Sequence, residues 1–309
     1  IKKMLFKLFD NIQSVNVNAH SGIGDRFGKS FKHYFISENM LERLSILRKN
    51  LDGESLEVIE QKLDHLLQLP AWGTKYQRNM RCLDRSKLLY TSAQIEEQKK
   101  FDRHLPCIKK ELTLKTYIPE VVYYHHALKL LPKKIVESIT GKILIDCGAS
   151  YGDSAVIFGK YYKPDKVISF ELTNTPEQAS IDYYKTITDN RLLASDFELI
   201  TKGVSDKCTS TDDGYHLTTI DHELSECNNI GLIKMDIEGA AFESIKGATK
   251  LIIENRPVLI ISIYHTPTEF FEIKPYLESL SLNYCFQLKN LNFSTNYELE
   301  TVLIAFPIE

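Results

Sequence analysis

Five side chains in this sequence sit where an apolar run ends, the place from which a parallel sheet presents chemistry to a ligand. Asp146 closes Ile143–Ile145. Glu171 closes Val167–Phe170. Asp236 and Glu238 follow Gly231–Met235, and His265 follows the run beginning at Arg256. A carboxylate or an imidazole within hydrogen-bond reach of a hydroxyl can take its proton as that hydroxyl attacks. A carboxylate also accepts from two vicinal hydroxyls at once, as on a ribose. Asp236 and Glu238, two residues apart at a strand mouth, are poor core residues because unpaired charge is rarely tolerated in an interior.

The stretch KILIDCGASYG, 142–152, organises the rest. An apolar strand runs into a loop punctuated by Gly148 and Gly152, and Asp153–Tyr162 reads as the helix that follows. Gly148 lets the backbone turn tightly and approach a ligand. Glu171 lies 25 residues after Asp146, close to the spacing at which dinucleotide folds set an acid on a ribose. An adenosine-containing ligand follows. The glycine spacing is G-x-x-x-G, without the three-glycine pattern that clamps a pyrophosphate at a helix N-terminus. S-adenosylmethionine is therefore expected over NAD, with Asp146 organising the loop around its amino acid head.

With these residues in hand, the chain resembles the FkbM family of S-adenosylmethionine-dependent methyltransferases. The resemblance is carried by IDCGASYGDS at 145–154, SFE at 169–171, KGVSD at 202–206, LIKMDIEGAAFESIKGA at 232–248, RPVLIISIYH at 256–265 and ELETVLIAF at 298–306. It covers roughly Ile118 to the C-terminus. The family pattern has an acid after Gly-Ala where this chain has Ala241, with Glu243 nearby. The resemblance implies an α/β fold: a Rossmann-like class I methyltransferase sheet with a reversed terminal hairpin, preceded by a mainly helical amino-terminal region. It also implies cofactor contacts from Asp146, Gly148, Ala149, Ser150, Gly152, Asp153, Ser154, Glu171 and Asp236. Ser205 or Asp206 is expected at the adenine, and Tyr124 or His125 of the YYHH cluster against the cofactor. His265 or Asp236 is expected as base, with Glu238 orienting the acceptor or the loop. Asp236, Glu238 and His265 are also a donor set for Mg²⁺, but the preferred reading has S-adenosylmethionine alone and no metal ligands. The acceptor expected is a hydroxyl of a small molecule or of a sugar or glycan precursor.

The elements that must position these groups follow from periodicity. Glu38–Asn50, capped by Ser37, and Gly53–Leu69 read as amphipathic helices, ended by Pro70. A helix is expected over Ser92–Arg103. GIGDRFG, with Gly22, Gly24 and Gly28, reads as a loop. The aromatic stretch with Trp72 and Tyr76 reads as a cover for the domain that follows. Phe197–Lys202 is expected as the third strand, Gly231–Met235 as the fourth and Arg256–Tyr264 as the fifth. Ala240–Leu251 is expected as one helix. Asn283–Phe293 and Glu298–Phe306 are the terminal strands. A boundary near residue 112 divides an accessory region, 1–112, from a methyltransferase domain, 113–309.

Composition sets the outer limits. The 309 residues carry a formal net charge of −3, which lacks the basic footprint of a nucleic-acid binder. No N/D-P-P-Y motif follows the fourth strand. Six cysteines without C-x-x-C pairs argue against a zinc site or disulfide framework and for a reducing, cytoplasmic setting. No apolar run is long enough for a membrane span, and Lys7 and Asp10 interrupt the first residues too early for a signal-peptide core. An NAD-dependent oxidoreductase or epimerase would need a Tyr-x-x-x-Lys pair on a helix. Tyr162 and Lys166 have that spacing, but Pro164 between them breaks it. A non-catalytic cofactor-binding module is the other alternative. The sequence leaves the oligomeric state open.

Overall fold

The structure, a computed structural model, describes residues 30–31, 33–34, 39–68, 92–293 and 300–308. Ser37, the glycine loop at 22–28, Trp72 and Tyr76 lie outside the described residues. Helices α1 (Met40–Arg48), α2 (Gly53–Gln68), α3 (Ser92–Glu111), α4 (Pro119–Val122) and α5 (Lys133–Ser138) precede strand β1 (Ile143–Cys147). Then follow α6 (Asp153–Tyr162), β2 (Lys166–Phe170), α7 (Pro176–Asp189), β3 (Phe197–Ile200), β4 (Gly203–Val204), β5 (Thr209–Ser210), β6 (His216–Thr218) and α8 (Ile220–Glu223). The chain closes with β7 (Ile230–Met235), α9 (Ala241–Lys246), α10 (Thr249–Asn255), β8 (Val258–Ser262), α11 (Pro267–Ser279), β9 (Tyr284–Asn290) and β10 (Thr301–Pro307).

Seven strands form one sheet in the order β3-β2-β1-β7-β8-β10-β9. The first five are parallel, and β10 runs antiparallel to both β8 and β9. This is the α/β sheet with the reversed terminal hairpin expected from the sequence. Its central strands read as unbroken apolar runs because helices cover both faces. The strand order reverses between β1 and β7, so the crevice at their carboxyl ends is the natural ligand position. Asp146, Glu171, Asp236 and His265 all lie along that edge.

Helices α1 and α2 do not stand apart from the sheet. Leu44, Leu47, Ile59 and Leu63 share a core with Phe270, Phe271, Phe286 and Leu288. The Leu288 N–H on the free side of β9 donates to Ser55 Oγ at 2.9 Å. Helix α2 thereby covers a sheet edge that would otherwise offer unpaired backbone groups.

Three expected elements differ. The third strand leaves the large sheet after Ile200, because Gly203–Val204 pairs with β6 in a separate three-stranded sheet with β5. The expected single helix over 240–251 is two, α9 and α10. Gly247 lies at the break, and a Cβ there would come within 2.0 Å of the Ser205 carbonyl oxygen. Helix α3 extends to Glu111 through Pro106, past the expected end at Arg103. Tyr162 ends α6 and Lys166 opens β2, so they share no helix face.

The close approach at Gly247 carries a prediction. Gly247→Ala is expected to lower folding stability by about 1–3 kcal/mol, the usual cost of overpacking a tight contact. Thermal unfolding followed by circular dichroism checks it, and an unchanged midpoint would contradict the contact.

Candidate functional site

The loop after β1 is built by backbone bonds between neighbouring strands. Gly148 and Ala149 N–H both donate to the Phe170 carbonyl at the end of β2, at 2.9 and 3.0 Å. Asp236 N–H donates to the Cys147 carbonyl at 3.0 Å. The loop turns through left-handed residues, Gly148 at φ 88°, Ser150 at 47° and Gly152 at 84°. A Cβ on Gly148 would sit 2.0 Å from the Asp236 carbonyl oxygen, and one on Gly152 would meet the Tyr183 ring at 2.9 Å. Both positions therefore require glycine, for steric reasons as well as for their dihedrals.

Glu171 reaches across this loop. Its Oε2 accepts from Ser150 N–H at 2.6 Å, which fixes the carboxylate at the mouth between β1 and β2. Burial outweighs the bond from Ser150, which acts the other way, and leaves its pKa above the ordinary value. Asp153 opens α6 and accepts from Ser154 N–H at 2.9 Å. Burial raises its pKa as well. Ser154 is buried beneath it.

Asp146 has a partner that the sequence reading did not assign. It pairs in register with Lys234 of β7, and Lys234 Nζ lies 2.9 Å from Asp146 Oδ1. The ammonium also donates to the Gly148 carbonyl at 3.1 Å. Both residues are buried. Burial alone would drive the Lys234 pKa down, but the Asp146 and Asp236 carboxylates outweigh it and hold the amine charged. The Asp146 Oδ2 atom has no protein hydrogen bond. The signal for Lys234 was present in the sequence: a lysine inside GLIKM must find an acid, since buried charge is rarely left unpaired.

The Asp236 corner collects the other acids. His265 Nε2 lies 3.5 Å from Asp236 Oδ1 and 3.7 Å from Glu238 Oε2, and its Nδ1 lies 3.6 Å from Glu269 Oε2. The Tyr264 ring rests on the imidazole, with centroids 3.9 Å apart. Glu238 stands out in solvent, its side chain 88% exposed, at a left-handed position. Asp236 is mostly covered, and burial and the neighbouring Glu120 raise its pKa. Burial would lower the His265 pKa, but Glu269 and Asp236 outweigh it and raise it. Glu269 organises this corner. It forms a capping box with Thr266 at the start of α11, the reciprocal bonding that opens helices. Its Oε1 also accepts from Ala241 N–H at 3.0 Å, tying α9 to α11.

The YYHH segment divides in two. His125, His126 and Ala127 all have positive φ, at 50°, 54° and 70°, a run that costs energy for residues with a Cβ. The turn sends His125 to the Tyr162 hydroxyl at 2.9 Å, where burial drives its pKa down to about 3. Its neighbour His126 instead meets Glu120, Nδ1 to Oε1 at 3.0 Å. Tyr124 packs on Phe293 with ring centroids 5.3 Å apart. With Glu97, His104, Tyr123 and Lys129 it lines a cavity of about 460 Å³ against α3.

Glu120 and Glu300, which the sequence did not mark, gather beside Asp236, and His126 of the YYHH cluster joins Glu120. Glu120 bonds to Glu300 and His126, and these bonds overcome burial to hold its pKa at about 2. Burial and the neighbouring Glu120 raise the pKa of Glu300. Ser205 and Asp206 make their bonds at the small sheet. Ser205 N–H donates to Thr218 in the small sheet, its hydroxyl meets Asp206, and Asp206 is exposed. The structure thus brings Asp146, Glu171 and the glycine loop together, sets Asp236, Glu238 and His265 at one corner, and commits His125 to α6. The five described cysteines are free. No described helix is long and apolar enough to cross a membrane.

Comparison with known proteins agrees with the architecture. The family model for the methyltransferase FkbM domain matches residues 209–286. The chain is similar to the crystal structure of methyltransferase FkbM from Methylobacillus flagellatus KT, with a TM-score of 0.61 and 20% identity. That similarity covers 91% of this chain and 61% of the other, so this chain spans about three fifths of that protein's length. Two weaker likenesses are to an rRNA methylase from Streptococcus thermophilus and an O-methyltransferase from Bacillus cereus in complex with SAH. The first has a TM-score of 0.43 and 15% identity, over 64% of this chain and 100% of the other. The second has 0.41 and 14%, over 72% and 93%. No curated protein matched. Over residues 209–286 the chain is thus similar to the methyltransferase FkbM domain, and that match falls on a sheet of the strand order described above.

Proposed function

We propose that this chain is a methyltransferase that uses S-adenosylmethionine and transfers its methyl group to a hydroxyl of a small molecule or of a sugar or glycan precursor. The observation that carries the reading is the Glu171 carboxylate, held 2.6 Å from Ser150 N–H beside the glycine loop. It is aimed across the mouth where a ribose diol would lie. The residues present fit the cofactor in two further ways. The close packing at Gly148 leaves backbone without a side chain at the strand end, and Asp146 Oδ2 is a buried acceptor without a protein donor. We take residues 113–309 as the methyltransferase unit and 1–112 as an accessory region.

When bound, S-adenosylmethionine would supply an electrophilic methyl group, with S-adenosylhomocysteine as the leaving group. The chain's own residues do the positioning and move the proton. Glu171 and the loop at 148–152 would hold the adenosyl end. Positioning of this kind removes much of the entropic barrier. Asp236 Oδ1 has no hydrogen bond and His265 Nε2 lies 3.5 Å away. Either can accept the hydroxyl proton, and where His265 takes it the Asp236 carboxylate stabilises the imidazolium. Glu269 Oε2 lies 3.6 Å from His265 Nδ1, beyond hydrogen-bond reach. Glu238, in solvent, is placed to meet the acceptor.

Calorimetry with S-adenosylmethionine and with NAD tests the cofactor, followed by S-adenosylhomocysteine release over a panel of sugars and small hydroxyl compounds. Binding of NAD with silence toward S-adenosylmethionine would overturn the reading. Glu171→Ala is expected to weaken S-adenosylmethionine binding by about 1–3 kcal/mol, the cost of leaving polar groups unpaired. Unchanged affinity would remove the ribose role.

A further inference from the structure

Beside the Asp236 corner three carboxylates converge from distant parts of the chain. Glu120 comes from α4, Asp236 from the end of β7 and Glu300 from the residue before β10. One oxygen from each lies within 4.8 Å of the other two. Lys234, whose charge acts on Asp236 and Glu120, is itself committed to Asp146 at 2.9 Å. Asp236 Oδ1 and Glu300 Oε2 are left buried without a hydrogen bond.

A second observation is independent of the acids. His265 is 7% exposed, and neither ring nitrogen makes a hydrogen bond. Its Nε2 points at Asp236 Oδ1 from 3.5 Å, a distance too long for a bond and short enough for two ligands of one ion. A buried imidazole without a bond, facing an acid without a bond, is a costly arrangement unless something sits between them.

We propose that Glu120, Asp236 and Glu300, with His265 at the rim, bind one divalent cation of the Mg²⁺ or Mn²⁺ kind. Carboxylate oxygens are the hard donors these ions select, and no cysteine joins the set as a zinc site would favour. Oxygens on an octahedral shell 2.0–2.1 Å from the ion lie about 3.0–4.2 Å from one another. The set differs from Asp236, Glu238 and His265, because Glu238 turns into solvent. Resting on the methyl-transfer reading above, the ion would receive the acceptor hydroxyl and lower its pKa beside the Asp236 corner. Glu120, Asp236 and Glu300 are then ligands, and with the ion bound the hydroxyl proton passes to His265 and not to Asp236.

The test is a titration of the metal-stripped full chain with MnCl2, following the paramagnetic resonance signal of free Mn²⁺. Uptake of one ion per chain is expected. Glu300→Gln and Glu120→Gln should each weaken uptake at least about tenfold, the loss that even outer-shell partners of a metal produce. Asp212→Asn, an exposed acid between β5 and β6, should bind as the parent does. Circular dichroism melting confirms that each variant is folded. No uptake by the parent, or equal uptake by both glutamine variants, overturns the site. S-adenosylmethionine binding by the same metal-stripped samples is measured separately. Its failure would unseat the proposed function, while Mn²⁺ uptake still decides the metal site.

Discussion

Lys234→Met is expected to lower the unfolding free energy by about 3–5 kcal/mol, the loss that follows when one partner of a buried ion pair is removed. The reason is local. Asp146 is fully buried and its close charge partner is Lys234 Nζ at 2.9 Å. Without the ammonium, the carboxylate must stay charged in an apolar strand or take up a proton, and both cost energy. The Gly148 carbonyl would lose a donor at the same time. The double variant Asp146→Asn, Lys234→Met should recover part of the loss, because it removes the unpaired charge. Urea unfolding followed by circular dichroism measures both. A loss below about 1 kcal/mol in the single variant, the range of exposed pairs, would show that the two groups do not act as a buried pair.

The second large effect concerns turnover. His265→Ala is expected to reduce kcat about 10²–10⁴-fold, the usual contribution of a positioned acid or base. S-adenosylmethionine affinity should hold, since His265 belongs to the Asp236 corner and Glu171 to the opposite mouth. Separating the two readings matters, because the imidazole also packs on Tyr264 and faces Glu269. A purely structural role would weaken cofactor binding and lower the melting point together. S-adenosylhomocysteine release with an acceptor found in the panel gives kcat, and calorimetry gives the affinity. A variant that turns over like its parent would leave Asp236 as the proton acceptor.

What the sequence determined by itself was the parallel part of the sheet and the acids along its edge. Strands β1, β2, β7 and β8 are covered on both faces, so each is a continuous apolar run that can be read without a partner. The residue closing such a run must face the crevice, which made Asp146, Glu171, Asp236 and His265 legible. Tertiary structure decided the rest, for three physical reasons. Helix 240–251 broke because Gly247 meets the Ser205 carbonyl, a contact between segments far apart in sequence. The third strand ended early because a competing sheet captures Gly203–Val204. The pairs Asp146–Lys234, Glu120–His126 and Glu120–Glu300 were invisible because charge pairing carries no periodic signature. It depends on strand register and on a left-handed turn at 125–127, and neither exists until the chain has folded.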